Sequence, residues 1–422
     1  MKNENKKIPQ IRFKGIDTEW TSKKYTEVFD TSVSNNTLSR AELTTEKTST
    51  KNVHYGDVLI KYNSILDVKN DEFPFIPDEI KINSKDLLTN GDIVFADTAE
   101  DETCGKATEI YNLENEKVTA GLHTFVARPK EKFESKYLGY YINSPAYHNQ
   151  LLPYMQGTKV TSISKSNIQK TTIQYPNSNE QTKLGTLFSE IDSLIISTQN
   201  EHDKLVALKK CMLQKMFPKN GNFVPEIRFK GFSDDWDENK IKNFATVKDG
   251  THATYSRVEK GYYLLSAKNV FDNELYISND ESFISESDYR EITANGFPQK
   301  GDILLSCVGS IGRCCVFNTE EKIAFQRSVI FIRTNEIDKQ FLVSSFQTEY
   351  VQKQISMYIN ASTIGGLYIG VVEGLSIKYP SFAEQQKIGL YFQYLNTLIS
   401  RQSAELEKLK NLKKTLLSKM FV

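Results

Sequence analysis

The stretch Tyr379–Val422 decides the fold, because the chain carries it twice. It opens Tyr-Pro-Ser-Phe-Ala-Glu-Gln-Gln-Lys-Ile-Gly and closes Lys-Lys-Thr-Leu-Leu-Ser-Lys-Met-Phe-Val. The stretch Tyr175–Pro218 opens Tyr-Pro-Asn-Ser-Asn-Glu-Gln-Thr-Lys-Leu-Gly and closes Lys-Lys-Cys-Met-Leu-Gln-Lys-Met-Phe-Pro, and the two align without a gap. An internal repeat of this length indicates a duplicated architecture.

Each copy carries apolar residues at alternating steps of three and four, which is the pattern of a heptad seam on a long helix. Pro176 and Pro380 precede the two predicted helices, and Pro218 ends the first one because proline cannot continue a helix. A helix with one apolar stripe needs a partner, so we expect the two helices to pack on each other. Thr198, His202 and Gln402 interrupt the seam, either as partly solvated positions or as residues that fix its register. The apolar seam positions are Phe188, Ile191, Ile195, Leu205, Met212 and Met216 in the first copy, and Phe392, Leu395, Ile399, Leu406, Leu409, Leu416 and Met420 in the second.

A shorter motif is also repeated. Ile8–Trp20 recurs as Val224–Trp236, and both copies contain Ile-Arg-Phe-Lys-Gly and end in tryptophan. The chain therefore runs in the order motif, variable segment and helix, and then repeats that order. We divide it into residues 1–174 and 220–378, which contain the variable segments, and residues 175–219 and 379–422, which contain the helices.

The variable segments are rich in short β-type runs that follow Gly-Asp and similar turns. Each segment then becomes helical and ends in a last strand before the long helix. This order predicts two α+β domains of normal size. The predicted strands are 58–60, 93–95, 125–126, 173–175, 303–305, 329–332 and 377–379, and the predicted helices are 135–152 and 338–358.

Charge and composition limit the function. The formal net charge is zero, and neither variable segment has the basic excess of a simple electrostatic nucleic-acid binder. Any DNA contact must therefore come from local patches or from a partner. No apolar run approaches the length of a membrane span, and five cysteines without a Cys-x-x-Cys spacing favour free thiols and the cytoplasm.

Motifs for catalysis are missing from the sequence. There is no P-loop, no dinucleotide-binding glycine pattern and no Asn-Pro-Pro motif of an amino-methyltransferase. The five histidines have no metal-ligand spacing and no evident nucleophile. The residue types of Pro77–Lys81 are those of a metal-dependent nuclease motif. The acidic residues are contiguous here, however, so their neighbouring side chains would point apart and could not share one metal ion. We predict no catalytic residue and no metal site.

The twice-repeated Glu-Gln-x-Lys-[Leu/Ile]-Gly with its heptad helix resembles the specificity subunit of type I restriction–modification systems. The Pro-x-Ile-Arg-Phe-Lys-Gly motifs and the run Gly301–Gly312 are similar to that family too, and the resemblance covers nearly the whole chain. It implies two target-recognition domains joined by two helices in an antiparallel coiled coil, and a bipartite, asymmetric site on double-stranded DNA. It also implies two methyltransferase subunits that bring S-adenosylmethionine, and motor–nuclease subunits that bring ATP and Mg²⁺. The first segment lacks the family's Gly-Ser-Ile-Gly, since its Gly91–Phe95 leads into an acidic stretch instead.

Candidate DNA contacts are side chains that fork onto base edges or bind phosphates; the alternative for each is an ordinary solvated position. We expect the methyltransferase subunits to dock on the helix faces off the seam and on four flanking phenylalanines; the alternative for these phenylalanines is that they cap the coiled coil. Two other functions stay open, a fused DNA-modifying enzyme and a coiled-coil scaffold that joins protein partners without DNA specificity of its own. The candidate DNA-binding residues are Lys61, Tyr62, Asn63, Thr158, Lys159, Ser162 and Lys165 in the first domain and Lys268, Asn269, Ser310, Arg313, Gln326, Arg327, Ser362 and Thr363 in the second. The candidate partner-binding residues are Phe188, Phe217, Phe392 and Phe421.

Overall fold

A computed structural model of the chain describes residues 8–219, 221–361 and 366–422. The chain divides into two compact units. Unit 1 comprises residues 1–198 and 405–422, and unit 2 comprises residues 199–404. Each unit therefore combines one variable segment with parts of both repeated stretches. None of the described helices is both long enough and apolar enough to cross a membrane.

Unit 1 is built on a five-stranded sheet and a smaller three-stranded sheet. Its elements are β1 (Thr21–Lys24), α1 (Tyr25–Val28), β2 (Phe29–Asp30), β3 (Thr50–Val53), α2 (Tyr55–Ile60), β4 (Ile65–Asp67), β5 (Phe75–Ile76), β6 (Ile93–Ala96), β7 (Thr98–Ala99), β8 (Ala107–Tyr111), β9 (Lys117–Ala120), β10 (Thr124–Pro129), α3 (Tyr137–Ile142), α4 (Pro145–His148), β11 (Thr161–Ser162), α5 (Lys165–Ile168), β12 (Thr172–Tyr175) and the first part of α6 (Ser178–Lys215). Single 3₁₀ turns occur at Arg40–Glu42, Ser84–Asp86 and Leu152–Tyr154.

The larger sheet of unit 1 has the strand order β2-β10-β6-β8-β4, and the smaller sheet has the order β5-β3-β9. In the smaller sheet β3 pairs antiparallel with β5 and parallel with β9. One apolar core lies between the larger sheet and the helices, and a second lies between the two sheets. Strands β1 and β12 pair beside the start of α6 and so connect the segment to the long helix.

Unit 2 repeats this plan with a four-stranded sheet. Its elements are β13 (Asp237–Lys240), β14 (Thr246–Asp249), β15 (Tyr262–Leu265), β16 (Val270–Phe271), β17 (Glu274–Leu275), β18 (Phe283–Ile284), α7 (Glu286–Ile292), β19 (Ile303–Ser306), β20 (Cys314–Val316), β21 (Ile323–Phe325), β22 (Val329–Arg333), α8 (Lys339–Phe346), α9 (Glu349–Ala361), α10 (Ile369–Gly374), β23 (Ser376–Tyr379) and the first part of α11 (Phe382–Lys419), with the second part of α6. Its 3₁₀ turns are Ile241–Asn243, Ala267–Asn269 and Thr293–Asn295.

The two larger sheets of unit 2 have the orders β14-β22-β19-β20 and β18-β15-β21. The middle strand β15 again pairs antiparallel with one neighbour and parallel with the other. The antiparallel pair β19–β22 corresponds to β6–β10 of unit 1, and the pair β13–β23 corresponds to β1–β12. The predicted α+β class with an internal repeat is therefore confirmed, although the variable segments align poorly in sequence.

The two long helices pack against each other in opposite directions. In unit 1 the start of α6 contacts the end of α11, as the ring centroids of Phe188 and Phe421 lie 5.4 Å apart. In unit 2 the end of α6 contacts the start of α11, as the rings of Phe217 and Phe392 lie 5.9 Å apart. Every predicted apolar seam position is buried or half-buried. At one polar seam position, Gln402 donates a 3.0 Å hydrogen bond to Glu201 of the facing helix.

The short repeated motif is held against the long helix by a buried ion pair in each unit. Arg12 donates from Nε and Nη2 to Glu180 at 2.8 and 2.7 Å, and only 1% of the Glu180 side chain is exposed. Arg228 makes the same two-pronged contact with Glu384 at 2.8 Å. The arginine of the short motif and the glutamate of the helix therefore form one contact, which explains why the two motifs are repeated together.

The Gly-Asp turns serve as a second matched anchor. Gly91 and Gly301 both have a positive φ, of 87° and 96°, a conformation that glycine adopts without strain. The buried carboxylate of Asp92 then accepts two hydrogen bonds from Arg128 of β10, at 2.9 and 2.7 Å. Asp302 accepts two from Arg333 of β22, both at 2.7 Å. Each turn is thereby tied to the neighbouring strand.

Three predicted elements need correction. Residues 58–60, predicted as a strand, lie in helix α2, because the His54 side chain caps its first turn by accepting the Gly56 N–H at 3.1 Å. The predicted helix 135–152 is broken where Pro145 begins α4, since proline cannot continue the helix before it. The predicted helix 338–358 is divided into α8 and α9 at Thr348, whose hydroxyl accepts the Val351 N–H.

Candidate nucleic-acid interface

The turn between β21 and β22 carries two exposed side chains on a backbone that is held by hydrogen bonds to neighbouring segments of unit 2. Gln326 donates its backbone N–H to Leu265 at 2.9 Å, and its carbonyl accepts the Val329 N–H at 3.0 Å. Arg327 donates its N–H to the Thr251 carbonyl at 2.9 Å. The Gln326 and Arg327 side chains are exposed. The backbone of the turn is therefore held by hydrogen bonds, while the two side chains are accessible to solvent.

A neighbouring loop after β19 is closed by one serine. The Ser306 hydroxyl accepts the Arg313 N–H at 3.1 Å, and the Ser306 N–H donates to the Arg313 carbonyl at 2.9 Å. The positive φ of Gly309 and Gly312, 74° and 89°, allows the chain to reverse within this short span. The Gly-Ser-Ile-Gly sequence thus forms a compact loop whose tip is exposed at Val308 and Ser310.

The other candidates of unit 2 divide between exposed and buried positions. Lys268 is exposed but ion-paired to Glu281 at 3.0 Å. Asn269 is 1% exposed and donates to Glu281 at 2.6 Å, so it holds a turn and does not face solvent, contrary to its prediction as a DNA contact. Arg313 is half-buried, with its guanidinium 5.2 Å from the centre of the Phe271 ring. Ser362 and Thr363 lie outside the described residues.

In unit 1 the first group of candidates follows helix α2 and not a strand. Tyr62 is 3% exposed and donates its hydroxyl to the Glu72 carbonyl at 3.1 Å, so it belongs to the core and not to an exposed surface as predicted. Lys61 is ion-paired to Glu72 at 3.0 Å. Asn63 is exposed.

The second group of unit 1 lies on an exposed loop. Thr158, Lys159 and Ser162 are exposed, and the loop is closed by backbone hydrogen bonds between Gln156 and Ser162 at 2.8 and 3.0 Å. Lys165, also exposed, donates to the Thr31 carbonyl. Three of these candidates therefore remain available to a ligand, and Lys165 is partly engaged.

The turn of unit 1 that matches Gln326–Ser328 is Gly121–His123. Gly121 donates its N–H to the Val53 carbonyl at 2.9 Å, as Gln326 does to Leu265. The ring centroids of Tyr55 and His123 lie 5.3 Å apart in an edge-on arrangement. The ring centroids of Tyr55 and His54 lie 4.7 Å apart, with the rings tilted. Burial lowers the pKa of His54. Sequence reasoning missed this aromatic group because the match between the two turns appears only once strand pairing is known.

Arginine pairing differs between the two units. In the described part of unit 1 all three arginines, Arg12, Arg40 and Arg128, pair with a carboxylate. In unit 2 no hydrogen bond or ion pair from the Arg327 side chain is found among the described residues. The described residues contain no group of three or more histidine, cysteine, aspartate or glutamate side chains that could hold a metal ion.

The four phenylalanines predicted to bind a partner are buried within the chain. Their exposure is 0% for Phe188 and Phe392, 4% for Phe421 and 6% for Phe217. Each pair packs with a tryptophan of the short motif, since Phe421 lies 6.1 Å from Trp20 and Phe217 lies 5.7 Å from Trp236. They cap the paired helices, and the prediction of an exposed docking surface at these four residues is wrong.

The comparisons with known proteins identify a single family. Residues 17–207 and 233–411 match the profile described as "Type I restriction modification DNA specificity domain". The type I restriction enzyme MjaVIII specificity subunit of Methanocaldococcus jannaschii is 26% identical over 279 residues, which is 62% of this chain and 64% of that protein. The MjaIX specificity subunit of the same organism is 28% identical over 194 residues, 44% of each protein. The chain thus spans less than two thirds of the length of these two relatives.

Two solved structures share the fold. The S subunit of a type I restriction–modification system from M. genitalium matches with a TM-score of 0.66 and 17% identity, covering 98% of this chain and 99% of that one. A chain from a study of complex assembly in the type I system matches with a TM-score of 0.50 and 17% identity, covering 94% and 96%. The two profile matches cover more than half of the chain, and together with the repeated helices and the matched units they show that it belongs to the family of type I restriction–modification DNA specificity subunits.

Proposed function

We propose that this chain recognises a bipartite, asymmetric site on double-stranded DNA, with residues 1–174 and 220–378 each recognising one half. The observation that supports this proposal is the pair of matched turns. Equivalent backbone hydrogen bonds hold both ends of each turn, from Gly121 to Val53 and Asp97 to His123 in unit 1 and from Gln326 to Leu265 and Cys307 to Ser328 in unit 2. The turns nevertheless carry Gly-Leu-His in one unit and Gln-Arg-Ser in the other. Base contacts depend on side-chain chemistry. Two turns in equivalent positions that carry different side chains are therefore suited to two different half-sites.

The DNA-binding surface consists of the described candidates that are not buried. Removing the buried Tyr62 and Asn269 leaves a smaller set. Such a set is compatible with the zero net charge, because local contacts do not require an overall basic domain. The remaining described candidates are Lys61, Asn63, Thr158, Lys159, Ser162 and Lys165 in unit 1, and Lys268, Ser310, Arg313, Gln326 and Arg327 in unit 2.

Catalysis is supplied by partners. Two methyltransferase subunits bring S-adenosylmethionine, and motor–nuclease subunits bring ATP and Mg²⁺, in the cytoplasm. The methyltransferase subunits dock on the faces of the long helices away from the seam. Leu208 and Leu412 occupy equivalent positions in the repeat and are 41% and 48% exposed. Leu390 and Tyr394 of α11 are 66% and 61% exposed. Exposed apolar side chains of this kind mark protein-binding surfaces when they cluster.

The test exchanges residues 21–174 for the corresponding segment of another specificity subunit. The chain is co-expressed with its methyltransferase subunits in a host without other adenine methylation, and methylated sites are mapped across the genome. One half of the site should change, while the other half and the length of the unread spacer stay the same, because unit 2 and both helices are unaltered. The reciprocal exchange of residues 237–378 should change the other half.

A change in both halves after a single exchange would refute the assignment of one half to each segment. A changed spacer length would refute the role of the helices. Methylation without any preferred bipartite site would instead favour a scaffold that joins protein partners.

A further inference from the structure

We propose that the turn Gln326–Ser328 is a base-reading element of unit 2, in which Arg327 recognises a guanine and Gln326 the adjacent base pair through the major groove. This inference rests on the proposed function and assigns part of its specificity to two side chains. It predicts different chemistry at the corresponding turn of unit 1, which carries no arginine.

The first support is the way in which the turn is held. Gln326 and Arg327 use their backbone N–H groups on the Leu265 and Thr251 carbonyls, both at 2.9 Å. The Arg327 carbonyl accepts the Cys307 thiol at 3.3 Å, and burial raises the pKa of that thiol to about 11, so it stays a donor. These backbone groups are thus already satisfied by the protein, and only the two side chains are left for a ligand.

The second support is the close packing beneath the turn. A Cβ atom on Gly250 would lie 2.3 Å from the carbonyl oxygens of both Phe325 and Gln326. Only glycine permits this approach, so the chain end of β14 can support the turn from one side. On the other side the Ser328 hydroxyl accepts the Ala267 N–H at 3.0 Å. A preorganised backbone lowers the entropic cost of placing a side chain on a base edge.

The third support is the free guanidinium. Arg228, Arg290 and Arg333 of unit 2 are each ion-paired with a carboxylate at 2.8 Å or less, whereas Arg257, Arg313 and Arg401 have no carboxylate partner among the described residues. What distinguishes Arg327 from these last three is its position on the anchored turn. For the exposed Arg327 no such carboxylate is found among the described residues. An arginine that is not needed for the fold can form the two-pronged contact with O6 and N7 of guanine, and glutamine can do the same with N6 and N7 of adenine.

The alternative is a contact with phosphate, which would add affinity without specificity. The two roles predict different results. Loss of a base contact relaxes one position of the recognised sequence, whereas loss of a phosphate contact weakens binding to all sequences alike.

The experiment maps methylated sites for the chain assembled with its methyltransferase subunits. Arg327→Ala should relax one G·C position in one half of the site, with discrimination at that position falling about ten- to a hundred-fold. Arg327→Lys should retain part of the preference, since lysine also donates to guanine. Gln326→Ala should relax the neighbouring position.

Arg290→Ala is the matched control. It removes an exposed arginine of the same unit that is paired with Glu286 on its own helix, so the recognised sequence should not change. The melting temperature of the Arg327→Ala complex should equal that of the wild type, because the guanidinium contributes no contact to the described fold.

An unchanged recognition sequence in the Arg327→Ala and Gln326→Ala variants would overturn the inference and leave the proposed function intact. A uniform loss of methylation at every site, with no relaxed position, would also overturn it in favour of a phosphate contact. If the wild-type complex itself shows no bipartite site, the inference fails together with the proposed function.

Discussion

The two units share their main buried contacts but differ in the side chains that face solvent. Both use a buried arginine–glutamate pair, a Gly-Asp turn tied to arginine, and a tryptophan packed on a phenylalanine at the end of a long helix. Their matched turns share backbone contacts and no side chain. The comparison teaches that buried contacts were kept through the duplication, while exposed tips could change freely because the fold does not depend on them.

One buried contact also differs between the units. In unit 1 the start of α3 is capped by Glu109 from strand β8, which accepts the Lys136 and Gly139 N–H groups at 2.6 and 2.8 Å. In unit 2 the start of α8 is capped by Asp338, which directly precedes the helix and accepts the Phe341 N–H at 2.9 Å. Unit 1 thus uses a distant and buried carboxylate where unit 2 uses a local cap.

The ion pairs provide the largest expected effect and the strictest test of equivalence. Arg12→Ala and Arg228→Ala should each lower the free energy of unfolding by about 3–5 kcal/mol, because each leaves a buried carboxylate without its partner. The chain has two tryptophans, and Trp20 and Trp236 lie in different units. Urea unfolding can therefore be followed by fluorescence in the Trp20→Phe and Trp236→Phe backgrounds, one unit at a time.

Lys23→Ala is the control for this pair of variants. Lys23 pairs with Glu131 where both side chains are more than a third exposed, and solvent screening makes such pairs contribute little, so the unfolding midpoint should not move. Clearly unequal losses for Arg12→Ala and Arg228→Ala would show that the two anchors are not equivalent.

The unlike caps predict a pH dependence that only unit 1 shows. Burial raises the pKa of Glu109 to about 7, above its value of about 4.5 in the unfolded chain. The folded state then holds the proton more tightly, so this contribution is complete below about pH 4.5 and is lost as the pH rises through 7. The loss amounts to about 3 kcal/mol.

The measurement is the unfolding free energy of unit 1, followed by Trp20, between pH 4.5 and 8. The Glu109→Gln variant should be less stable than the wild type at low pH and should lose much less stability as the pH rises. If the wild type and the variant follow parallel pH profiles, Glu109 does not titrate as proposed.

The glycines of the long helices give the smallest expected effect. A Cβ on Gly185 would lie 2.8 Å from the Ser135 carbonyl oxygen, and one on Gly389 would lie 2.4 Å from the Asp338 carboxylate and 2.8 Å from the Phe341 backbone nitrogen. Gly185→Ala and Gly389→Ala should each destabilise their own unit by about 1–3 kcal/mol through overpacking.

Gly389→Ala should have the larger effect, because it disturbs the Asp338 cap as well as the packing. Thermal unfolding with the two tryptophan reporters measures both losses. Equal effects in the two units would mean that the Asp338 cap adjusts without cost.

Much of the frame could be predicted from the sequence. The repeat showed two long helices with an apolar seam, since a period of three and four residues is local information that survives in the chain order. Strands such as 93–95 and 303–305 were predicted correctly because they follow Gly-Asp turns. Helix α2 was mistaken for a strand, because its cap comes from the His54 side chain and its apolar run is too short to show a period.

The candidate site was less predictable. Tyr62 and Asn269 were expected at the surface but are buried. The four helix-end phenylalanines were expected to meet a partner but are buried as well, and two of them, Phe217 and Phe421, pack on the chain's own tryptophans. No pattern in the sequence marks Gly121–His123 as the match of Gln326–Ser328, because the two turns share only strand neighbours.

The sequence by itself therefore determined that this protein is a duplicated chain with two paired helices and two α+β segments, because repeats and periodicity are written in the order of residues. Only the tertiary structure decided which side chains at the turns remain free and which buried carboxylate caps each short helix. These outcomes depend on hydrogen bonds between residues far apart in the chain, such as Thr251 with Arg327 and Glu109 with Gly139.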